Sequence, residues 1–153
     1  MSKQKQSVTI IGIGNRFRGD DALGPEIAQR IKTENLPNVE VVEASGEGTT
    51  LIETMRDKDD VVIIDAVCSG ATPGTVHRFE AHKQAIPSQF FNYSTHAFGV
   101  AEAIELARAM NQLPNHLLVY GIEGKNFEPG GKLSREVRNV TPKVVARVLC
   151  EIV

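Results

Sequence analysis

Gly12-Ile13-Gly14-Asn15-Arg16-Phe17-Arg18-Gly19-Asp20-Asp21-Ala22-Leu23-Gly24 is the stretch that decides the fold. It follows an apolar run, Val8 to Ile13, that reads as a buried strand. It leads into Pro25–Lys32, where Ile27, Ala28 and Ile31 recur at helical spacing. Proline has no N–H and is comfortable only in a helix's first turn, so Pro25 puts the helix start close to Asp21. A strand, a glycine-containing turn and a helix in this order form a junction where ligand sites are often built. Two adjacent carboxylates stand at this one.

Working outward, the same alternation repeats. Asn38–Ala44 reads as a strand, Thr49–Arg56 as a helix, and Val61-Val62-Ile63-Ile64 as a strongly apolar strand ending on Asp65. A weaker strand is expected over Thr75–Phe79, an irregular segment over Gln84–Tyr93 and a helix over Ala97–Met110. His116–Ile122 is a fifth strand, and a helix runs from Ser134, with Pro142 expected to break or kink it. Strands alternating with helices imply parallel strands and crossover helices on both faces. The expected fold is a three-layer αβα sandwich on a mostly parallel, twisted sheet of about five strands, in a single α/β domain over residues 1–153. Asp20, Asp21, Ser45–Thr50 and Asp65 then gather at the carboxyl edge of the sheet, where such folds bind ligands.

Composition narrows the function classes. Lys+Arg 17 against Asp+Glu 19 gives a formal net charge of −2, so the basic patch that nucleic acid calls for is not expected. No apolar run reaches the roughly 20 residues of a membrane span, and the polar start does not read as a signal peptide. Two cysteines, Cys68 and Cys150, make no disulfide framework and suit a reducing compartment. A cytoplasmic protein without nucleic-acid or membrane partners is the expectation. Cys68 is read as a small buried hydrophobe and Cys150 as part of the last helix's core stripe.

Three side chains carry the chemistry. An Asp at a helix start caps it, which accounts for one member of the Asp20-Asp21 pair but not both, since adjacent acids repel without a cation or proton between them. Asp65 ends a central strand, where an unpaired carboxylate is costly. His96 stands just before the helix of Ala97–Met110, with Ser94 or Thr95 as an adequate N-cap. Asp21, Asp65 and His96 together suit a divalent metal such as Zn, Ni, Mn or Fe with open coordination positions. His77, His82 and His116 fall on or beside strands and read as structural.

Other readings of the opening turn fail. A dinucleotide fingerprint requires glycine where Phe17 stands, and the two acids would oppose a pyrophosphate. The phosphate-binding Gly-Lys-Ser/Thr and the nucleophile elbow Gly-x-Ser-x-Gly are both absent. A phospho-acceptor receiver domain competes better, with an acidic pair after the first strand, an Asp ending the third, and Lys125 after the fifth. The fourth strand, however, ends on Glu80-Ala81 rather than Ser or Thr.

Gly12-x-Gly14-Asn15-x-x-x-x-Asp20-Asp21-x-x-Gly24, Asp65-Ala66, Ser94-x-His96 and Tyr120-Gly121-Ile122-Glu123, in this order, resemble the [NiFe]-hydrogenase maturation endopeptidases. The resemblance implies a metal-dependent aspartate/histidine-type endopeptidase that trims a C-terminal extension from the hydrogenase large-subunit precursor after nickel insertion. It maps catalysis and metal recognition to Asp21, Asp65 and His96. The nickel is then supplied mainly by the precursor, with another divalent metal as an alternative occupant. The alternative class is a non-catalytic metal-binding or receiver-like signalling module. One departure stands out: many members show Asp-Gly-Gly-Thr where this chain reads Gly46-Glu47-Gly48-Thr49.

Overall fold

A computed structural model describes residues 7–91 and 96–152. Five strands form one sheet: β1 (Val8–Ile13), β2 (Val39–Ala44), β3 (Asp60–Val67), β4 (Val76–Glu80) and β5 (His116–Glu123). The helices are α1 (Leu23–Thr33), α2 (Gly48–Met55), α3 (Val100–Ala109) and α4 (Arg135–Ile152). The strand order is β2-β1-β3-β5-β4, parallel except for β4, which runs antiparallel to β5 at the edge. The connection 68–75 between β3 and β4 is shorter than the dozen or so residues that a parallel crossover takes. A receiver-type doubly wound sheet has the order 2-1-3-4-5, so the place of β4 separates this fold from that competitor.

The side-chain period of two sorts the core into two layers. Ile11, Ile13, Val61, Ile63 and Val67 pack with Leu51 and Met55 of α2 and with Val100 and Ile104 of α3. Ile10, Val62, Ile64 and Tyr120 pack with Ile27 and Ile31 of α1 and with Val144 and Val148 of α4. β3 is buried from Val61 to Val67, as expected of a strand covered on both faces. The three-layer α/β expectation therefore describes the molecule.

Helix α1 lies directly on β1 because glycines face each other there. A Cβ on Gly12 would stand 2.3 Å from the Gly24 carbonyl oxygen, and one on Gly24 would stand 2.1 Å from that of Ile13. Substituting either glycine would push the helix off the strand and move everything the intervening loop carries.

Several details depart from the sequence reading. Pro142 does not break α4, which runs unbroken to Ile152. The buried stripe Val137, Thr141, Val144 and Val148 holds both halves on the sheet while Pro142 faces solvent, at the loss of one helical bond. Helix α3 starts only at Val100 with Gly99 at its N-cap, so His96 lies in the approach loop; Ser94 and Thr95 lie outside the described residues. Cys68 and Cys150 are both exposed, correcting their assignment to buried positions: Cys68 has passed the end of β3, and Cys150 sits off the stripe that Val148 occupies. No described helix is long and apolar enough to cross a membrane.

Candidate active site

The carboxyl edge of the sheet holds a cleft lined by Asp21, Asp65, His96, Arg18, Ser45 and Phe90, among others. The open space at its centre is about 40 Å³, room for a few water-sized groups. Asp21 arrives on the loop after β1, Asp65 near the end of β3, and His96 on the segment before α3. The parity that turns Val61, Ile63 and Val67 toward the α2/α3 layer turns Asp65 the same way, toward the side from which His96 approaches. The three residues singled out by sequence thus share one cavity.

Their electrostatics are unusual for carboxylates. Asp65 is 7% exposed, and burial pushes its pKa well above the ordinary range. The nearby charge of Asp21 pushes it further, and the backbone N–H of Ala66 only partly compensates. Asp21 is also raised by burial, against the opposing pull of the Asn15 N–H, Arg18 and His96. The Asn15 N–H donates to Asp21 Oδ2 at 2.9 Å. Among the described residues no group of three or more His, Cys, Asp or Glu side chains is placed so that it could hold a metal ion by itself. Asp21, Asp65 and His96 line one cavity.

Asp20 does different work. It is fully buried, and its carboxylate accepts backbone N–H bonds from Lys125 (2.7 Å), Asn126 (3.0 Å) and Ser134 (2.6 Å). Its own N–H donates to the Asn126 carbonyl at 2.7 Å. Asp20 therefore ties the β1–α1 loop to the loop after β5 and fixes the backbone that presents Asp21. The sequence reading takes Asp20 as the structural member of the pair, as a helix cap or a support behind the site, and its hydrogen bonds are those of a support between two loops.

Glu47 resolves the departure in the second loop. Its carboxylate caps α2, accepting from Thr49 N and Thr50 N at 2.9 Å each and from the Thr50 hydroxyl. These donors lower its pKa to about 2. The acid in Gly46-Glu47-Gly48-Thr49 serves the helix.

Two features of the site were not assigned from sequence. Arg18 lines the cleft and contributes positive charge beside Asp21. Glu123, at the end of β5 and buried, accepts from Ser69 N and the Ser69 hydroxyl and faces His77 Nε2 at 3.1 Å. The His77 ring meets Phe90 edge-on at 4.6 Å, and Phe90 forms part of the cleft wall. The carboxylate lies between serine and histidine, so this is not a nucleophile–base relay, which needs the histidine in the middle. It buttresses the wall. Glu123 was visible in Tyr120-Gly121-Ile122-Glu123, but its partners are distant in sequence.

A profile of the HycI family, described as hydrogenase maturation protease, matches residues 22–151, a span that includes Asp65 and His96 and begins one residue after Asp21. The chain is 31% identical over 160 residues to a Methanocaldococcus jannaschii protein named for hydrogenase maturation protease, with 97% of this chain and 98% of that one covered. It is 27% identical to the hydrogenase 2 maturation protease of Escherichia coli, covering 93% of this chain and 88% of the relative. The solution structure of an endopeptidase from Escherichia coli superposes with a TM-score of 0.81 at 27% identity, covering 95% of this chain and 91% of that one. The hydrogenase maturating endopeptidase HybD of the same organism shares the fold at a TM-score of 0.76 and 22% identity, over 96% and 92% of the two chains. The chain belongs to the hydrogenase maturation protease family.

Proposed function

We propose that this protein is the endopeptidase that removes the C-terminal extension of a nickel-loaded [NiFe]-hydrogenase large-subunit precursor, and that it reads the nickel through Asp21, Asp65 and His96. The observation that carries the reading is the cleft itself: two desolvated carboxylates and an imidazole line one cavity at the carboxyl edge of the sheet. The nickel is cargo of the substrate. Two carboxylates and one imidazole suit a divalent first-row metal, and a cation beside them would relieve the burial of both acids and the charge of Asp21 on Asp65. A shared metal ligated from both proteins fixes the scissile bond against the cleft and can polarise its carbonyl.

The chain's own residues do the rest. Asp20 holds the Asp21 loop against the loop after β5, so that Asp21 meets the substrate on a fixed backbone. Metal ligation requires Asp65 as the carboxylate, the form that its burial disfavours in the absence of a cation. Arg18 balances charge beside Asp21. Phe90, Phe91 and Val100 supply apolar wall that limits water. Selectivity for the loaded precursor follows, since an unloaded one lacks the ion that joins the two sets of ligands.

The test is mass spectrometry of precursor incubated with purified enzyme, with and without nickel. The loaded precursor should lose its extension, and the unloaded one should be cut at least about a hundredfold more slowly, a difference of roughly 2.7 kcal/mol in the barrier. Equal cutting of both contradicts recognition through the metal. No cutting of either contradicts the activity.

A further inference from the structure

The β1–α1 loop carries one feature that Asp20 and Asp21 leave unexplained. Phe17 is 78% exposed, well beyond Leu106 at 41% and Met110 at 44%, the other large apolar side chains exposed among the described residues. A phenylalanine exposed on a slack loop means little. This loop is tied down on every side. Phe17 N donates to Asn15 Oδ1 at 2.9 Å, closing an Asx-type turn. Gly130 N donates to the Phe17 carbonyl at 2.7 Å, and Gly19 N donates to that of Gly131 at 3.2 Å. Arg16, on one side, pairs with Glu43 at 2.7 Å. Arg18, on the other, lines the cleft and donates from Nε to the Phe127 carbonyl at 3.4 Å.

The backbone is thus fixed before and after an aromatic ring that is held in water, one residue from the cleft wall. With the backbone fixed, only the ring's two side-chain torsions remain to be ordered on association, and aromatic side chains are the usual anchors of protein interfaces. The substrate of the proposed reaction is a large protein already carrying its metal, so the enzyme meets the surface around that metal as well as the tail. From the loop's geometry we infer that Phe17 is the docking anchor for an apolar recess on the folded body of that precursor, at the rim of the cleft. The inference rests on the proposed function and adds to it the contact that seats the two proteins.

Removing an anchor that binds ground state and transition state equally raises KM and leaves kcat alone. Steady-state processing of nickel-loaded precursor is therefore compared for the native enzyme, Phe17→Ala and Phe17→Leu, alongside thermal melts of all three. Phe17→Ala should raise KM about tenfold or more with kcat within about twofold. Phe17→Leu, which restores apolar volume, should recover most of the loss, and neither change should lower the melting temperature, because the ring lies outside the core. An unchanged KM in Phe17→Ala overturns the anchor, as does a fall in kcat at constant KM, which would mean a distorted loop. A native enzyme that leaves the precursor whole overturns instead the reading on which the anchor rests.

Discussion

Asp20 commits its carboxylate to three backbone donors on the far side of the sheet edge, whereas Asp21, one residue later, turns into the cleft opposite Asp65. The ends of the two neighbouring strands repeat the contrast. Glu123 on β5 is buried but met by Ser69 and His77, while Asp65 on β3 is buried with its charge poorly compensated. Each pair has one acid whose partners lie within the protein and one whose environment disfavours ionisation. The first kind builds the frame. The second kind costs stability while it is uncompensated, and in the function proposed above it is the kind that meets the precursor's cation.

The largest test of that contrast is Asp20→Ala. It strips three part-buried N–H groups of their fully buried charged acceptor and should destabilise the fold by about 3 kcal/mol in urea titration. A change below about 1 kcal/mol would show that Asp20 is not the staple described here.

Asp65→Asn tests the other side and should move stability in the opposite direction. The folded-state pKa of Asp65 is raised, so the folded chain binds its proton more tightly than the unfolded chain does. Stability is then lost as pH rises from the unfolded value near 3.8 through the raised folded one. Asparagine carries no such penalty. The melting temperature should rise by a few degrees at pH 7, the gain should vanish below about pH 4, and processing should be lost. Lower stability at pH 7 would mean that Asp65 is a structural acid like Asp20.

The smallest effect belongs to Glu47→Ala. Its depressed pKa gives the native cap a contribution present above the unfolded value of 4.5 and lost as pH falls toward about 2. The variant should melt slightly lower at pH 7 and equally at pH 2, and it should still process precursor. Loss of processing in a folded Glu47→Ala enzyme would return this acid to the reaction.

Most of the frame was legible because it follows from local pattern. The continuous apolar run of β3, the helical spacing after Pro25 and the turn glycines each mark an element without its neighbours. The orientation of β4 was not legible: direction depends on which strand it pairs with, and that is settled by the position of β5 forty residues later. Asp21, Asp65 and His96 could be brought together because the carboxyl ends of parallel strands share one edge. The structural role of Asp20 was legible, but its partners, and the roles of Glu47 and Glu123, needed coordinates, because these acids meet backbone N–H groups or distant side chains that no spacing announces. Cys150 was misplaced because a stripe read at helical period is too coarse to tell the buried Val148 from its neighbour two positions on.

In the proposed function Asp21, Asp65 and His96 act together on the metal of the precursor. The most direct measurement is the rate at which an Asp21→Ala/His96→Ala enzyme, shown to be folded by its melt, processes nickel-loaded precursor beside the native enzyme. The expected result is intact precursor after the native enzyme has finished. Processing at the native rate would show that these side chains do not act on the metal.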